Sequence, residues 1–182
     1  MRPFNRGFAT AVFLFVACLL PAAAQQPWDA CQMLRQADVE AAFAPRKFDK
    51  GSLAKDPVKR TPKMAAVSTC TYVSAGPKPS DVFTVVLTAR RAPSDTSGVT
   101  PAVAKDGAKK LNVKASPMDV SGLGAGAYWI DLGSKAFPIV ELNVFSGPRV
   151  WLVFSGGGMK VSPDVAVEGL KKIATATLPR LP

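Results

Sequence analysis

Alternating apolar and polar residues predict a β-sheet in the middle and the C-terminal half of the chain. The segments with this pattern, which is typical of strands with one buried face, are 67–73, 82–89, 127–132, 139–145 and 149–155. Short turns at 133–135 and 146–148 separate the last three segments. Two short connections in succession predict an antiparallel meander there.

Helical spacing of apolar residues predicts three helical segments around this sheet. They are a short entry helix within 25–43, a basic helix from Thr100-Pro101 to about Leu111, and a helix that begins at Ser162-Pro163. Segment 44–65 is rich in proline and lysine and predicts a solvated connection, long enough to contain a short edge strand. We therefore predict an α+β fold, with an antiparallel β-sheet of about five strands and helices packed on one face.

The N-terminus has the three parts of a cleavable signal peptide. Arg2 and Arg6 precede an apolar run, and Ala22 and Ala24 match the small residues required before a cleavage site. We predict a signal peptide over 1–24, cleavage before Gln25, and a single α+β domain over 25–182 in the periplasm or outside the cell. The alternatives are a lipoprotein anchored at Cys18 and, after it, a retained membrane span, for which the apolar run is short.

The chain is basic and contains no histidine. It has 23 Lys+Arg against 13 Asp+Glu, a formal net charge of +10, and loss of Arg2 and Arg6 with the leader leaves about +8. This charge predicts weak attraction to anionic surfaces. Aromatic residues are not interleaved with the lysines as a stacking platform requires, so no specific nucleic acid is expected as a partner.

Two cysteines, Cys31 and Cys70, remain after cleavage of the leader. An even pair in an oxidising compartment predicts a disulfide bond, the alternative being two buried thiols.

The missing histidine excludes the commonest catalytic base and histidine-based zinc sites. Residues 122–127 match the loose dinucleotide pattern G-x-G-x-x-A, but a strand rather than a helix is predicted after them, which favours a turn. The glycines at 156–158 lack the spacing of a phosphate loop and favour a hinge. We predict no cofactor, no metal and no catalytic residue, and the remaining enzymatic alternative is a carboxylate-based hydrolase using Asp131 and Glu141.

One face of the meander is the candidate binding face. Alternation places Tyr128, Ile130 and Leu132 in the core together with the apolar residues of the next two strands. The opposite face then carries Trp129, Asp131, Glu141, Asn143 and Trp151, a mixture of aromatic and polar side chains that is typical of binding surfaces. The alternative is that the entry helix or the 44–65 segment covers this face.

Three short patches resemble a family of small exported bacterial proteins and lipoproteins of unknown function. Residues 29–34 and 37–43 are similar to the family's D-x-C-x-L-L opening, Cys70-Thr71-Tyr72 to its C-x-[YW] strand, and residues 120–129 to its G-L-G-D-x-A-Y-W segment. Ala125 stands where the family has aspartate. The resemblance implies an α+β domain with a Cys31–Cys70 bridge, and a receptor-kinase extracellular sensor domain is distantly similar.

Together these features predict an exported, non-enzymatic binding or interaction module whose ligand the residues do not identify. The alternative is an envelope accessory or inhibitor that acts on a protein partner.

Overall fold

The computed structural model describes residues 28–54, 61–111, 116–133 and 137–182. These residues form one antiparallel sheet with the strand order β1-β2-β3-β7-β6-β5-β4. Its strands are β1 (Ser52–Leu53), β2 (Ala66–Ser74), β3 (Phe83–Arg91), β4 (Met118–Val120), β5 (Gly126–Asp131), β6 (Ile139–Ser146) and β7 (Val150–Gly157). The β5-β6-β7 meander confirms the pattern expected in the C-terminal half.

The four described helices are α1 (Ala30–Met33), α2 (Gln36–Ala42), α3 (Pro101–Leu111) and α4 (Pro163–Thr177). Helix α4 begins as predicted, because the Ser162 side chain caps its first turn and Pro163 occupies its first position. Helices α1, α2 and α4 pack against one sheet face, which we call the inner face. Its strand residues are almost fully buried, among them Phe83, Leu87, Leu142, Leu152 and Phe154.

The N-terminal segment is fastened to the inner face of β2 by covalent and polar contacts. The predicted disulfide joins Cys31 to Cys70 and spans 39 positions of sequence. The backbone N–H of Ala30 donates to the Ser68 hydroxyl at 2.9 Å, and the Tyr72 hydroxyl donates to the carbonyl of Leu34 at 2.8 Å. Because these groups are buried, leaving a donor or acceptor without a partner would lower the stability of the fold, and each of the two hydrogen bonds prevents this.

Three predictions about the fold need correction. The described sheet has seven strands rather than about five, because the edge strands β1 and β4 contain only two and three residues and give little alternation to detect. Segment 44–65 is long enough for an edge strand and contains β1, whereas no feature of the sequence indicates β4. The predicted entry helix is two helices, since Leu34 and Arg35 adopt extended backbone between them.

The helices also lie on both faces of the sheet rather than on one. Helix α3 contacts β5 from the side opposite α4, which we call the outer face. At this contact a Cβ on Gly126 would lie 3.1 Å from the Pro101 ring. Gly126 alternates to the same face as Tyr128, whose side chain points away from the inner core.

The glycine-rich segment 122–127 forms the turn between β4 and β5, as the sequence favoured. Gly122 and Gly124 have positive φ angles of 77° and 58°, which residues with a side chain rarely adopt. A Cβ on Gly124 would also lie 2.2 Å from the carbonyl oxygen of Phe145. Gly122 and Gly124 are therefore required by the tight β4–β5 connection. Strand β5 follows this turn, whereas a dinucleotide site needs a helix there to bind the pyrophosphate.

The predicted signal peptide and Cys18 lie outside the described residues. None of the helices within the described ranges is both long enough and apolar enough to span a bilayer.

Candidate binding site on the outer sheet face

Strands β3, β7 and β6 bring five polar or aromatic side chains together on the outer face. Strand register pairs Arg90 with Trp151, Asn143 with Val153 and Glu141 with Ser155. Because direct cross-strand partners share a face, these side chains form neighbouring rows across three strands. We call this group the outer-face site; its members are Arg90, Glu141, Asn143, Trp151 and Ser155.

Trp151 is held in one orientation by its neighbours. The Arg90 guanidinium lies 4.7 Å from the centroid of its ring, and Phe145 on the other side stacks at 5.6 Å with an interplanar angle of 14°. The indole N–H donates to Asn143 Oδ1 at 2.9 Å. These contacts hold the Trp151 ring in a fixed orientation. Because Arg90 and Phe145 lie against the ring, a partner would contact the edge of a preorganised indole rather than a free ring face.

Glu141 is the least satisfied charged group of the outer-face site. Its only hydrogen bond to another described residue comes from the Ser155 hydroxyl, at 3.5 Å from Oε1. Burial raises the pKa of this carboxyl above its ordinary value, although Ser155 and the charge of Arg90 oppose the change. The carboxylate therefore lacks, among the described residues, the strong donor that would compensate its partial desolvation.

Replacing Glu141 with glutamine should stabilise the protein at neutral pH. A pKa raised in the folded state means that the protonated form favours folding below about pH 4.5, and that this advantage is lost as the pH rises. Glutamine resembles the protonated acid, so the melting temperature of Glu141→Gln should exceed that of the wild type at pH 7. The difference should shrink toward acidic pH, and thermal melts across pH 3–7 measure it.

Asp38 provides a control, because its pKa is shifted in the direction opposite to that of Glu141. Its carboxylate accepts hydrogen bonds from both terminal nitrogens of Arg180, and these bonds lower the pKa of Asp38 below its usual value. This stabilisation is present above about pH 3.8 and is lost as the pH falls. Asp38→Asn should therefore be less stable than the wild type at pH 7, and the difference in stability between the two should become smaller at acidic pH. If Glu141→Gln also lost stability at pH 7, the carboxylate would be a structural partner rather than an uncompensated charge.

The prediction that Trp129 and Asp131 of β5 belong to the binding face is wrong. The structure brings Glu141, Asn143 and Trp151 together, but the register pairs Trp129 with Leu142 and so places Trp129 on the inner face. Asp131, two residues on, is on the inner face as well. The alternation along β5 correctly marked Tyr128 and Ile130 as buried, but it could not show on which face, because α3 covers the outer side of this strand.

The same register removes the predicted acid/base pair. Asp131 lies opposite Val140 on the inner face, whereas Glu141 lies opposite Ile130 on the outer face. Asp131 instead accepts a hydrogen bond from the backbone N–H of Gly133 at 2.9 Å and so stabilises a local turn. Within the described ranges, no cluster of three or more metal-ligating side chains occurs.

Sequence reasoning missed Arg90, Ser155 and the outward-facing Tyr128. Arg90 reaches the site through the pairing of β3 with β7, two strands separated by about sixty residues of chain. Nothing local in the sequence reports such a pairing. Tyr128 was assigned to the core, and its ring is indeed only 3% exposed, but it lies beside Phe145 on the outer face.

A cleft of about 440 Å³ lies between α3 and the β4–β5 edge, next to the outer-face site. Its lining is mainly apolar and comprises Pro101, Ala102, Lys105, Asp119, Val120, Ser121, Gly126, Ala127 and Tyr128. Lys105 Nζ lies 2.5 Å from Asp119 at this cleft. Burial, with a smaller effect from the charge of Glu141, raises the pKa of Tyr128 to about 12, so its hydroxyl is protonated at neutral pH.

Two other clefts each include a cation that already forms an ion pair. One, of about 560 Å³, is lined by Arg35 and Arg180, and Arg180 pairs with Asp38. Another, of about 630 Å³, is lined by Lys160, which pairs with Asp81. Neither cleft includes a residue of the outer-face site.

Comparison with known proteins assigns no family. No protein-family model matches the chain, and no curated protein matches it. Among solved structures, the extracellular domain of PknH from Mycobacterium tuberculosis is similar, with a TM-score of 0.46 and 12% identity over 80% of this chain and 92% of that one. A likeness at this level identifies neither a family nor a function, and the family resemblance of the three sequence patches stays a prediction.

Proposed function

We propose that this chain is an exported, non-enzymatic binding module that contacts its partner through the outer-face site. The predicted leader supports export, and so does the Cys31–Cys70 bridge, because disulfides persist mainly in oxidising compartments. Cleavage before Gln25 would leave a single domain over 25–182.

The observation that carries the proposal is the environment of Glu141. A partly buried carboxylate with one weak hydrogen bond disfavours the folded state, and folding alone gives no reason to keep it. A partner that presents a cation or a strong hydrogen-bond donor would compensate this charge. The rigid Trp151 edge beside it would add apolar contact area at little cost in side-chain entropy.

The shape of the site favours a protein partner over a small ligand. Glu141 and Trp151 line none of the clefts at α3, Arg180 and Lys160, and both side chains are partly exposed on the strand surface. An open surface with an aromatic anchor resembles the contact regions of protein interfaces more than an enclosed small-molecule pocket. The basic charge of the chain favours a partner with an acidic rim around this contact.

The experiment is a quantitative pull-down from the cell envelope with tagged full-length protein, read by mass spectrometry. Glu141→Gln and Trp151→Phe test the site, and Trp151→Phe keeps a ring between Arg90 and Phe145. Glu168→Gln, an exposed carboxylate on α4, is the matched control. We expect a protein retained by the wild type and by Glu168→Gln to be lost from both site variants. Equal retention by all variants would refute the proposed contact surface.

A further inference from the structure

We propose that the outer face of the sheet binds a second copy of this chain, so that Arg90 of each copy pairs with Glu141 of the other. The inference rests on the proposed function, because it names the protein that the outer-face site contacts. The occupant is an identical face, related to the first by a two-fold axis.

The outer face carries very little charge for so basic a chain. The chain has 23 Lys+Arg and 13 Asp+Glu, yet the outward positions of β2, β3, β7 and β6 carry only one cation and one anion, Arg90 and Glu141. The other outward side chains are mainly threonine and valine, and most of them are partly exposed. Solvated surfaces are normally rich in mixed charge, whereas the centre of a protein interface is depleted of it. This composition favours an interface.

Arg90 and Glu141 each lack an ion-pair partner among the described residues. The Arg90 guanidinium stacks on Trp151 and donates no hydrogen bond to another described residue. Glu141 accepts only the long hydrogen bond from Ser155, and burial raises its pKa although the charge of Arg90 opposes this. The two groups therefore do not satisfy each other within one copy. A pair between copies would satisfy both, because a guanidinium presents two parallel donors to a carboxylate.

Strand register places the two charges symmetrically about Val153. Strand β7 lies between β3 and β6, and Val153 pairs with Thr88 on one side and with Asn143 on the other. Arg90 comes two residues after Thr88, and Glu141 comes two residues before Asn143 on a strand of the same direction. A two-fold axis that passes Val153 between two facing sheets, at right angles to the line joining the charges, therefore brings Arg90 of each copy over Glu141 of the other.

The size of the face predicts a weak dimer. Four strands of eight or nine residues cover roughly 500 Å² in each copy, which gives about 1,000 Å² of contact in total. Helix α3, which lies over β5, bounds the face on one side. This area is near the lower bound for a specific interface, and the positive charge of each copy opposes the approach of the other. We therefore expect a dissociation constant in the micromolar range.

The test is sedimentation velocity of the purified full chain at concentrations from about 1 to 200 µM. We expect the wild type to change from monomer to dimer over this range. Arg90→Glu and Glu141→Arg each place like charges opposite each other, so each should raise the dissociation constant by at least about tenfold. Val153→Arg should do the same, because it brings two cations together at the axis. A wild type that is monomeric at every concentration would overturn the inference.

An equimolar mixture of Arg90→Glu and Glu141→Arg tests the contact between copies directly. In a mixed dimer each opposed pair again contains one acid and one base, so the mixture should dimerise as the wild type does, although neither variant does so alone. A structural effect of one substitution could not be repaired by the other chain. Melting temperatures confirm that both variants are folded. A mixture that stays monomeric would refute the Arg90–Glu141 contact.

Two exposed positions on α4 provide matched controls. Lys172→Glu and Glu168→Arg change the net charge by the same amounts and should leave the dimer unchanged. The two proposals can also fail separately. If the wild type stays monomeric while Glu141→Gln loses an envelope protein, only the dimer is refuted. If the dimer forms while all variants retain envelope proteins equally, only the contact with a different protein is refuted.

Discussion

Breaking the Cys31–Cys70 bridge should lower the free energy of unfolding by about 4 kcal/mol, as the chain-entropy model gives for a loop of this length. The bridge connects α1 to the inner face of β2, and Cys70 is fully buried there. Urea unfolding of the wild type with and without reductant measures the change.

Packing at Cys70 must be separated from the cross-link itself. The double variant Cys31→Ala with Cys70→Ala removes both the bridge and the sulfur volume, whereas reduction of the wild type leaves the sulfur atoms in place. We expect reduction alone to give most of the loss, with the Ala30–Ser68 and Tyr72–Leu34 hydrogen bonds retained in the folded state. An unchanged urea midpoint after verified reduction would show that the bridge adds no stability.

Phe83→Ala should lower the free energy of unfolding by about 3–5 kcal/mol, or the melting temperature by roughly 10 °C. Phe83 is fully buried on the inner face. Its ring makes an edge contact with Phe43 at 4.8 Å between centroids and another with Phe48 at 6.3 Å. The Arg46 guanidinium lies 5.3 Å from the same ring, so truncation removes support from α2 and from the segment after it.

Val86→Ala on the same strand is the control for Phe83→Ala. Val86 lies on the outer face and is only partly buried. Val86→Ala should therefore lower the free energy of unfolding by about 1 kcal/mol or less. Thermal melts of the two variants compare the two faces of β3 directly. Similar losses for both would contradict the assignment of the core to the inner face.

Local patterns predicted the elements that depend on neighbouring residues. The Ser162-Pro163 start of α4 and the Thr100-Pro101 start of α3 are specified by capping chemistry within one turn. The β6–β7 hairpin follows from two alternating segments around a short turn with Gly147 at positive φ. The disulfide was predictable from the two cysteines that remain after the expected cleavage of the leader, together with the expected oxidising compartment.

The candidate site was only partly predictable, because its composition depends on which faces are covered. Along β5, burial alternates as the sequence shows, but Tyr128 is buried by neighbours on the outer face rather than by the core. Trp129 was therefore assigned to the wrong face. Arg90 joins Trp151 only through a pairing between distant strands, which no local pattern encodes.

The outer-face site is, as proposed above, the surface where this chain contacts another protein. A photo-crosslinking residue at Val153, between Asn143 and Thr88 on the outer face, tests this contact in intact cells that produce the protein. The same residue at Lys172, exposed on α4, reports nonspecific neighbours. We predict a discrete cross-linked adduct from position 153 that disappears with Glu141→Gln and is absent from position 172. No adduct at 153, or the same adduct from both positions, would contradict the account.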